Sequence, residues 1–267
     1  MPIPTPRLLK KEHQEEQSMY GTREKWILIA CEIFFREIAF FASSCEKIVH
    51  PIFLPKGLHD RGGEAMREYI QKEIDRCDKE ECEKILLGYG LCNNGIAGIQ
   101  ARSHPLIVPK VHDCISLFLG SKERYQDYFF QNTGTYFHTT GWIERRSPGN
   151  EFFDNQLGPQ QDMESLIQKY GEENAHYIAQ TLNPLQHYHK IGFISLAIPG
   201  IPDYQIYSQR IAKDHNLEWE KIEGDPSFLK RLVDGPYQSE EFLTVAPGEI
   251  IAATGDERIL SSHLPLE

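Results

Sequence analysis

The stretch of sequence that decides the fold is residues 84–125, KILLGYGLCNNGIAGIQARSHPLIVPKVHDCISLFLGSKERY. It contains two short apolar runs, 84–89 and 106–111, and each is followed within a few residues by a cysteine, Cys92 and Cys114. Continuous apolar runs of this length are typical of strands buried on both faces of a parallel sheet. The stretch therefore predicts two inner strands, each ending near a thiol.

The residues before this stretch repeat the same alternation of strand and helix. The run WILIAC (26–31) ends in a third cysteine, Cys31, and leads directly into the helical pattern EIFFREIAFFASS. A second strand is expected at 47–54, where Pro51 favours an edge position, and an amphipathic helix at 64–77. A helix over 113–130, with Asp113 as its N-cap, follows the fourth strand. This order predicts a mostly parallel, Rossmann-like α/β sheet flanked by helices.

The second half resumes the α/β pattern after a long excursion over residues 131–161, which are rich in Gly, Thr and aromatic residues. Strands are expected at 135–139, 190–198, 217–222 and 241–245, and helical segments at 163–182, 202–216 and 225–233, with the chain fraying after the last strand. We expect a polar lead-in over residues 1–25 and a single α/β domain over 26–267. Two lobes, 26–145 and 162–250, would lie around a cleft.

Composition excludes several classes of function. The chain has 267 residues, of which 40% are hydrophobic and 25% charged, and a net charge of −11. Such a balance is ordinary for a globular protein and argues against nucleic acid as a partner, since phosphate binding needs a basic face. No apolar run is long enough to cross a membrane, and residues 1–25 lack the apolar centre of a signal peptide. We therefore expect a cytoplasmic protein without a membrane partner.

All six cysteines lie between residues 31 and 114. In a large cytoplasmic chain this distribution favours free thiols or a metal site over a disulfide framework. Cys31, Cys92 and Cys114, together with His112, follow the ends of predicted strands, so they should meet at the carboxyl edge of the sheet, where α/β proteins bind ligands. We interpret Cys45, Cys77 and Cys82 as structural.

Three thiols and an imidazole are the ligands that zinc or an iron–sulfur cluster takes. The fourth ligand is left open between His112, His59 and an exchangeable water or substrate. Helix N-termini after Cys31 and Cys114 are expected to lower the thiol pKa and favour thiolate. The alternative for each cysteine is that it packs as a small hydrophobic residue.

Two neighbouring motifs add candidate residues. His112 and Asp113 precede Cys114 and are the candidate catalytic residues; a Cys–His nucleophile pair is the competing interpretation. In the glycine-rich loop, Gly88 and Gly90 would let the backbone approach a ligand or cofactor closely. Asn93 and Asn94 would present their amides to it, although a plain turn with left-handed Asn and Gly positions explains the loop equally well.

The segment ILLGYGLCNNGIAGI…LIVPKVHDCISLFLGSKERY…GTYFHTTGWIE resembles a prokaryotic family catalogued as domain of unknown function 1638. The similarity runs from ILIACEI to FLTVAPGE. Carried over residue by residue, the motif includes Ser121, which joins the candidate cofactor-binding residues, and it marks these further positions: Cys31, Gly88, Gly90, Cys92, His112, Asp113, Cys114, Gly120, Tyr125, Gly141 and Trp142. Members occur in anaerobes beside corrinoid-dependent methyltransferase systems. The resemblance therefore implies a role in one-carbon metabolism, by association and not by mechanism.

The leading hypothesis from the sequence is a metalloprotein, an enzyme of the metal-dependent transferase or lyase type, that acts on a small-molecule substrate. Its metal would be zinc or an iron–sulfur cluster held by Cys31, Cys92, Cys114 and His112. One alternative is a non-catalytic accessory protein or metal chaperone whose partner is a corrinoid protein or methyltransferase. Another is a metal-free domain that binds a small ligand.

Overall fold

A computed structural model of the chain describes residues 24–146, 163–172, 174–175 and 187–265. In chain order the strands are β1 (Lys25–Cys31), β2 (Ile48–Leu54), β3 (Lys84–Gly88), β4 (Leu106–Pro109), β5 (Thr135–His138), β6 (Lys190–Ser195), β7 (Glu218–Glu223), β8 (Phe242–Val245), β9 (Ile250–Ala253) and β10 (Leu260–His263). The α-helices are α1 (Phe35–Ser44), α2 (Gly63–Cys77), α3 (Cys114–Leu119), α4 (Lys122–Gln131), α5 (Thr140–Glu144), α6 (Met163–Tyr170), α7 (Gln205–Asp214) and α8 (Ser227–Asp234). Two short 3₁₀ helices, Glu32–Phe34 and Leu58–Arg61, follow β1 and β2.

The larger sheet has five strands in the order β2-β1-β3-β4-β8. The first four are parallel, and β8 pairs antiparallel with β4. Strands β1 and β3 are apolar along nearly their whole length because helices cover both faces of the sheet. They also lie close together: a Cβ on Gly88 would stand 2.5 Å from the Cβ of Ala30, so only glycine fits opposite this alanine.

The smaller sheet contains β5, β6 and β7, all parallel. A buried polar network ties its strands to α7: the Nδ1 of His138 lies 3.0 Å from the Oγ of Ser208, which also accepts a hydrogen bond from the indole N–H of Trp219. Burial lowers the pKa of His138 to about 3, with smaller contributions from Lys56 and Arg146, so this imidazole is neutral. His138 is thus a structural residue, for which the sequence offered no pattern.

These observations confirm the mixed α/β class and the mostly parallel, Rossmann-like sheet flanked by helices. The chain is divided between the sheets differently from the expected lobes, 26–145 and 162–250. The smaller sheet already begins at β5, before residue 145, and β8 returns from the far end of the chain to complete the larger sheet. Helix α8 also packs against α1 on the larger sheet.

Two local predictions were wrong. The helix expected over 113–130 is broken at Gly120, whose φ of +86° ends α3, and the hydroxyl of Ser121 then caps α4 by accepting from the N–H of Arg124 at 3.1 Å. The chain after β8 does not fray, because β9 and β10 form an antiparallel hairpin. The expected loop over 147–161 and helical residues 176–182 lie outside the described residues. Among the described helices, none combines the length and apolar content that a membrane crossing requires.

Candidate functional site

Three thiols meet at one small cavity. Strands β1, β3 and β4 are parallel, so their carboxyl ends share one edge of the sheet. Cys31 ends β1, Cys92 follows β3 and Cys114 follows β4, and all three line a cavity of about 20 Å³. That volume suits one water molecule or one ion, since a single water needs roughly 10–15 Å³.

The loop that carries Cys92 is tied to the loop that carries Cys114. The N–H of Leu91 donates to the carbonyl of Val111 at 2.9 Å, and the N–H of Cys92 donates to the carbonyl of His112 at 2.8 Å. Gly90 makes this approach possible, because a Cβ there would stand 2.8–2.9 Å from the backbone of Asp113. These backbone hydrogen bonds therefore hold the loop that carries Cys92 next to the loop that carries Cys114.

The backbone at Cys92 is strained. Cys92, Asn93 and Asn94 have φ angles of 43°, 56° and 59°, three successive residues in the left-handed region. Asparagine tolerates this region, but cysteine at such a φ costs on the order of 1–2 kcal/mol. The hydrogen bonds from Leu91 and Cys92 hold the loop in this conformation, and they fix the direction of the Cys92 side chain toward the cavity.

Burial disfavours ionisation of the Cys92 and Cys114 thiols. It raises the pKa of Cys92 to about 12, with added effects from the charges of Asp113 and Cys31. Burial also raises the pKa of Cys114 well above its ordinary value, with Cys92, Asp113 and Cys31 adding to it. Backbone N–H groups act in the direction that we expected from helix N-termini, but their effect is smaller. For Cys114, the prediction that a helix end lowers the thiol pKa is therefore wrong in the protein without a metal.

A buried hydroxyl shares the cavity with the thiols. Tyr89 is 3% exposed, lines the same cavity, and its hydroxyl has no hydrogen-bond partner among the described residues. Burial raises the pKa of Tyr89 well above its ordinary value, and the nearby Cys31 and Cys92 add to the rise. Leaving such a donor unpaired costs about 1–3 kcal/mol. The cavity is thus lined by a residue whose buried hydroxyl finds no partner in the part of the chain that the structure describes.

The small cavity adjoins a cleft of about 430 Å³ that lies between the two sheets. Both spaces are lined by Cys92, Cys114, His59, Ile33 and Trp142. One side of the cleft is the carboxyl edge of the larger sheet. The other side is β5 together with residues at both of its ends, Gly134 before it and Thr139 and Trp142 after it, and Tyr188 just before β6.

Asp113 lies on the floor of the cleft. Its carboxylate caps α3, as predicted, by accepting from the N–H of Ile115 at 2.9 Å, and it also accepts from the hydroxyl of Tyr125. Burial raises the pKa of Asp113, although these donors and the neighbouring His112 oppose the rise. This site therefore has a hydrogen-bonded pair, the Asp113 carboxylate and the Tyr125 hydroxyl.

The two candidate histidines occupy different positions. His112 is exposed and lines only the cleft, and its carbonyl holds Cys92. His59, on the 3₁₀ helix after β2, lines both the cleft and the thiol cavity, and its ring lies 6.3 Å from that of Trp142. Of the two, His59 is the better placed to serve as a fourth ligand.

The other predicted ligand-binding residues have structural roles as well. Gly88 lines the thiol cavity, whereas Gly90 allows contact with the backbone of Asp113 and not with a ligand. Asn93 lines the cleft. Asn94 packs its carbonyl near the start of α2, and Ser121 caps α4 away from the cleft lining.

Some residues of the site were not found from the sequence. Tyr136 and Tyr188 line the cleft, and neither was among the candidate site residues. The rule that ligands bind at carboxyl strand ends applies to the larger sheet, and it gives no indication that residues of a second sheet, such as Tyr188 before β6, reach the same place.

The donor set fits a soft metal ion in its chemistry, and the thiol cavity fits one ion in its size. In the structure the side chains are too far apart to coordinate such an ion. No group of three or more His, Cys, Asp or Glu side chains could hold a metal as it stands within the described residues, 24–146, 163–172, 174–175 and 187–265. No disulfide joins the six cysteines. Metal binding would therefore require these thiols to move closer together around the ion and lose their protons.

The fold and the site define a class: an α/β protein with a thiol-lined cavity at the edge of a parallel sheet, facing a cleft. A family model described as protein of unknown function, DUF1638, matches residues 53–233, which is more than half of the chain. The chain belongs to this family. The match includes Cys92 and Cys114, while Cys31 precedes it. No curated protein and no solved structure shows significant similarity to the chain.

Proposed function

We propose that the protein is a metal-dependent enzyme in which Cys31, Cys92 and Cys114 bind one soft metal ion on the floor of the cleft. The observation that carries the proposal is that three thiols and the unpartnered hydroxyl of Tyr89 line one ion-sized cavity. Three thiolates leave one position of a four-coordinate ion free. That position would face the cleft, where a small-molecule substrate would bind, or it would be taken by His59.

Zinc is our first choice of metal. Thiolate ligands favour zinc or iron over magnesium and calcium. A cavity of about 20 Å³ accepts a single ion, whereas an iron–sulfur cluster contains several iron and sulfide atoms and would need the site to open into the cleft. The size of the cavity therefore favours one ion over a cluster.

The chain would contribute binding and proton transfer. When bound, zinc would supply Lewis acidity or an activated thiolate, which suits a transferase or a lyase. The hydroxyl of Tyr125 donates to the Asp113 carboxylate in the cleft, and the raised pKa of Asp113 makes this carboxylate a candidate proton acceptor near the substrate. His112 stays a candidate catalytic residue because it lines the same cleft. The corrinoid-dependent methyl transfer implied by the family resemblance is the proposed metabolic context.

Zinc titration of chelator-treated, anaerobically purified protein tests the proposal. Wild type and the control Cys82→Ser, which alters a cysteine away from the cavity, should each bind about one zinc per chain. Each of Cys31→Ser, Cys92→Ser and Cys114→Ser should weaken zinc binding by more than about a hundredfold. Loss of a residue that only hydrogen-bonds to a zinc ligand costs roughly tenfold to hundredfold, and loss of a ligand itself should cost more. Circular dichroism checks the folding of each variant. A folded variant in which all three cysteines are replaced by serine and which still binds zinc like wild type would overturn the proposal.

A metal-free domain that binds a small ligand is the second candidate. The raised pKa values of Cys92 and Cys114 favour it, because protonated, buried thiols pack as small apolar groups. It predicts that zinc titration gives no saturable site in any variant, so the same experiment separates the two candidates.

A further inference from the structure

We infer that the cleft binds a small organic cation of the quaternary ammonium or tertiary sulfonium type. The inference deepens the proposed function, since it rests on the cleft being the substrate site and names the class of substrate. It is carried by the aromatic walls of the cleft and by the sign of the charges that face it.

The aromatic side chains that line the cleft come from both sheets and from the helices next to them. They are Tyr125, Phe129, Tyr136, Phe137, Trp142 and Tyr188. A cation with methyl groups gains from such surfaces, because the ring faces are negative and the methyl groups also need apolar contact. An aromatic lining of this density is more than a neutral polar substrate requires.

Neighbouring rings of the cleft lining meet at steep angles. Tyr136 and Tyr188 meet at 82° with centroids 5.2 Å apart, and Tyr136 and Trp142 meet at 70° with centroids 6.5 Å apart. On the neighbouring wall Tyr125 and Phe137 meet at 62°. Rings at steep angles present adjacent faces to one compact group, whereas a flat aromatic ligand would be better held between parallel rings.

The charges that face the cleft favour a cation. Among the described residues no Lys or Arg side chain lines it, while the carboxylate of Asp113 does. The ammonium group of Lys56 lies 4.3 Å from the centroid of the Trp142 ring and is not part of the lining. An anionic substrate would find no Lys or Arg side chain among the described lining residues, whereas a cation has both the rings and the carboxylate.

The volume of the cleft is suitable for such a ligand. About 430 Å³ lies within the range of roughly 300–1,000 Å³ that small-molecule sites occupy. The thiol cavity opens beside Trp142, which also lines the cleft. A methyl group of a cation held by the rings would therefore lie on the side of the cleft that Cys92 and Cys114 line.

The test compares choline with 3,3-dimethyl-1-butanol, its uncharged isostere, by isothermal titration of both chelator-treated and zinc-loaded protein. Choline should bind at least about tenfold more tightly than the isostere, since charge is the only difference and about 1.4 kcal/mol is tenfold. Tyr188→Leu should weaken choline binding about threefold to tenfold, and Tyr188→Phe should retain it. Phe130→Leu, at an exposed ring outside the cleft lining, is the control.

Asp113→Asn tests the contribution of charge while the helix stays capped, because asparagine caps as well as aspartate. Choline affinity should fall in this variant, and the affinity of the isostere should not. Equal affinity for choline and the isostere, or no saturable choline binding in either form, would overturn the inference. Saturable zinc binding without choline binding would refute only the inference, and choline binding without zinc would refute only the metal site.

Discussion

Gly141 lies against the carbonyl group of Ile33. A Cβ at residue 141 would stand 1.7 Å from this carbonyl oxygen and 2.6 Å from its carbon, so only glycine can occupy the position. Ile33 belongs to the 3₁₀ helix directly after Cys31, and Gly141 lies in α5, beside Trp142. This contact joins the two sheets at the site and places Trp142 beside the thiol cavity.

The first prediction concerns this contact. Gly141→Ala should separate α5 from the 3₁₀ helix, because neither backbone can yield to relieve a contact this short. We expect a loss of about 2–4 kcal/mol in the free energy of unfolding, of the size seen for overpacked or strained positions. Chemical denaturation measures it. Gly255→Ala, at a position where a Cβ would meet nothing within 4 Å, is the matched control and should leave stability nearly unchanged.

A result in which Gly141→Ala is as stable as Gly255→Ala would mean that the two sheets are not in contact at this point. The ion pair between Arg36 and Glu144, 2.7 Å apart, crosses the same boundary. Its disruption should cost less, about 1 kcal/mol or below, because the pair is partly exposed. The ranking of the two effects tests whether backbone contact or charge holds the sheets together.

A second prediction concerns Glu37, which is 1% exposed in α1. Burial raises the pKa of Glu37 from 4.5 to about 7, with a small contribution from Glu144. The folded state therefore binds an extra proton between these values, and the free energy of unfolding should fall as pH rises from 4.5 to 7. Glu37→Gln should remove up to roughly 3 kcal/mol of this pH dependence.

Denaturation at pH 5 and pH 8 makes the comparison. The control is Glu68→Gln, at an exposed position on α2; this variant should retain the pH dependence of wild type. If Glu37→Gln also retains the pH dependence of wild type, Glu37 is ionised at little cost in the folded protein, and its surroundings are polar enough to stabilise the charge.

A third prediction concerns the unpartnered hydroxyl of Tyr89. Tyr89→Phe removes a buried donor that has no described partner, so the metal-free protein should become more stable by about 1 kcal/mol. In the zinc-bound protein the hydroxyl would gain a thiolate or a ligand of the metal as its partner. The same variant should therefore bind zinc more weakly, measured by competition with a chelating indicator. If the variant binds zinc as tightly as wild type does, Tyr89 does not contribute to the metal site.

A fourth prediction is the pH dependence of zinc binding. Because burial raises the pKa of Cys92 to about 12 and that of Cys114 well above its ordinary value, both thiols are protonated near neutral pH and must release protons when zinc binds. Zinc affinity should rise steeply with pH, with about three protons released per ion if Cys31 also takes part. Titrations in buffers of different ionisation enthalpy count these protons. Release of fewer than about two would contradict binding by several thiols.

The larger sheet could be predicted because its signals are local. The apolar runs before Cys31 and Cys92 are too continuous for surface strands, and the parallel order then brings both cysteines to one edge. Asp113 was recognisable as a helix cap from its position before an apolar run. Each of these predictions rests on neighbouring residues and one rule of sheet topology.

The rest of the site depends on contacts between distant residues. Nothing in the sequence near Gly141 indicates that it faces the carbonyl of Ile33, and nothing near Tyr188 indicates that it lines a cleft with Cys92. The break at Gly120 was missed because the apolar pattern continues across it. The thiol pKa values depend on burial, which outweighs the helix ends that the sequence could indicate.

X-ray absorption spectroscopy of the zinc-loaded protein tests the central claim most directly. Binding by Cys31, Cys92 and Cys114 predicts about three sulfur neighbours at about 2.3 Å, with one lighter neighbour at about 2.0–2.1 Å if His59 or a water completes the site. A first coordination shell made only of nitrogen and oxygen atoms would contradict the claim that these three cysteines form a metal site.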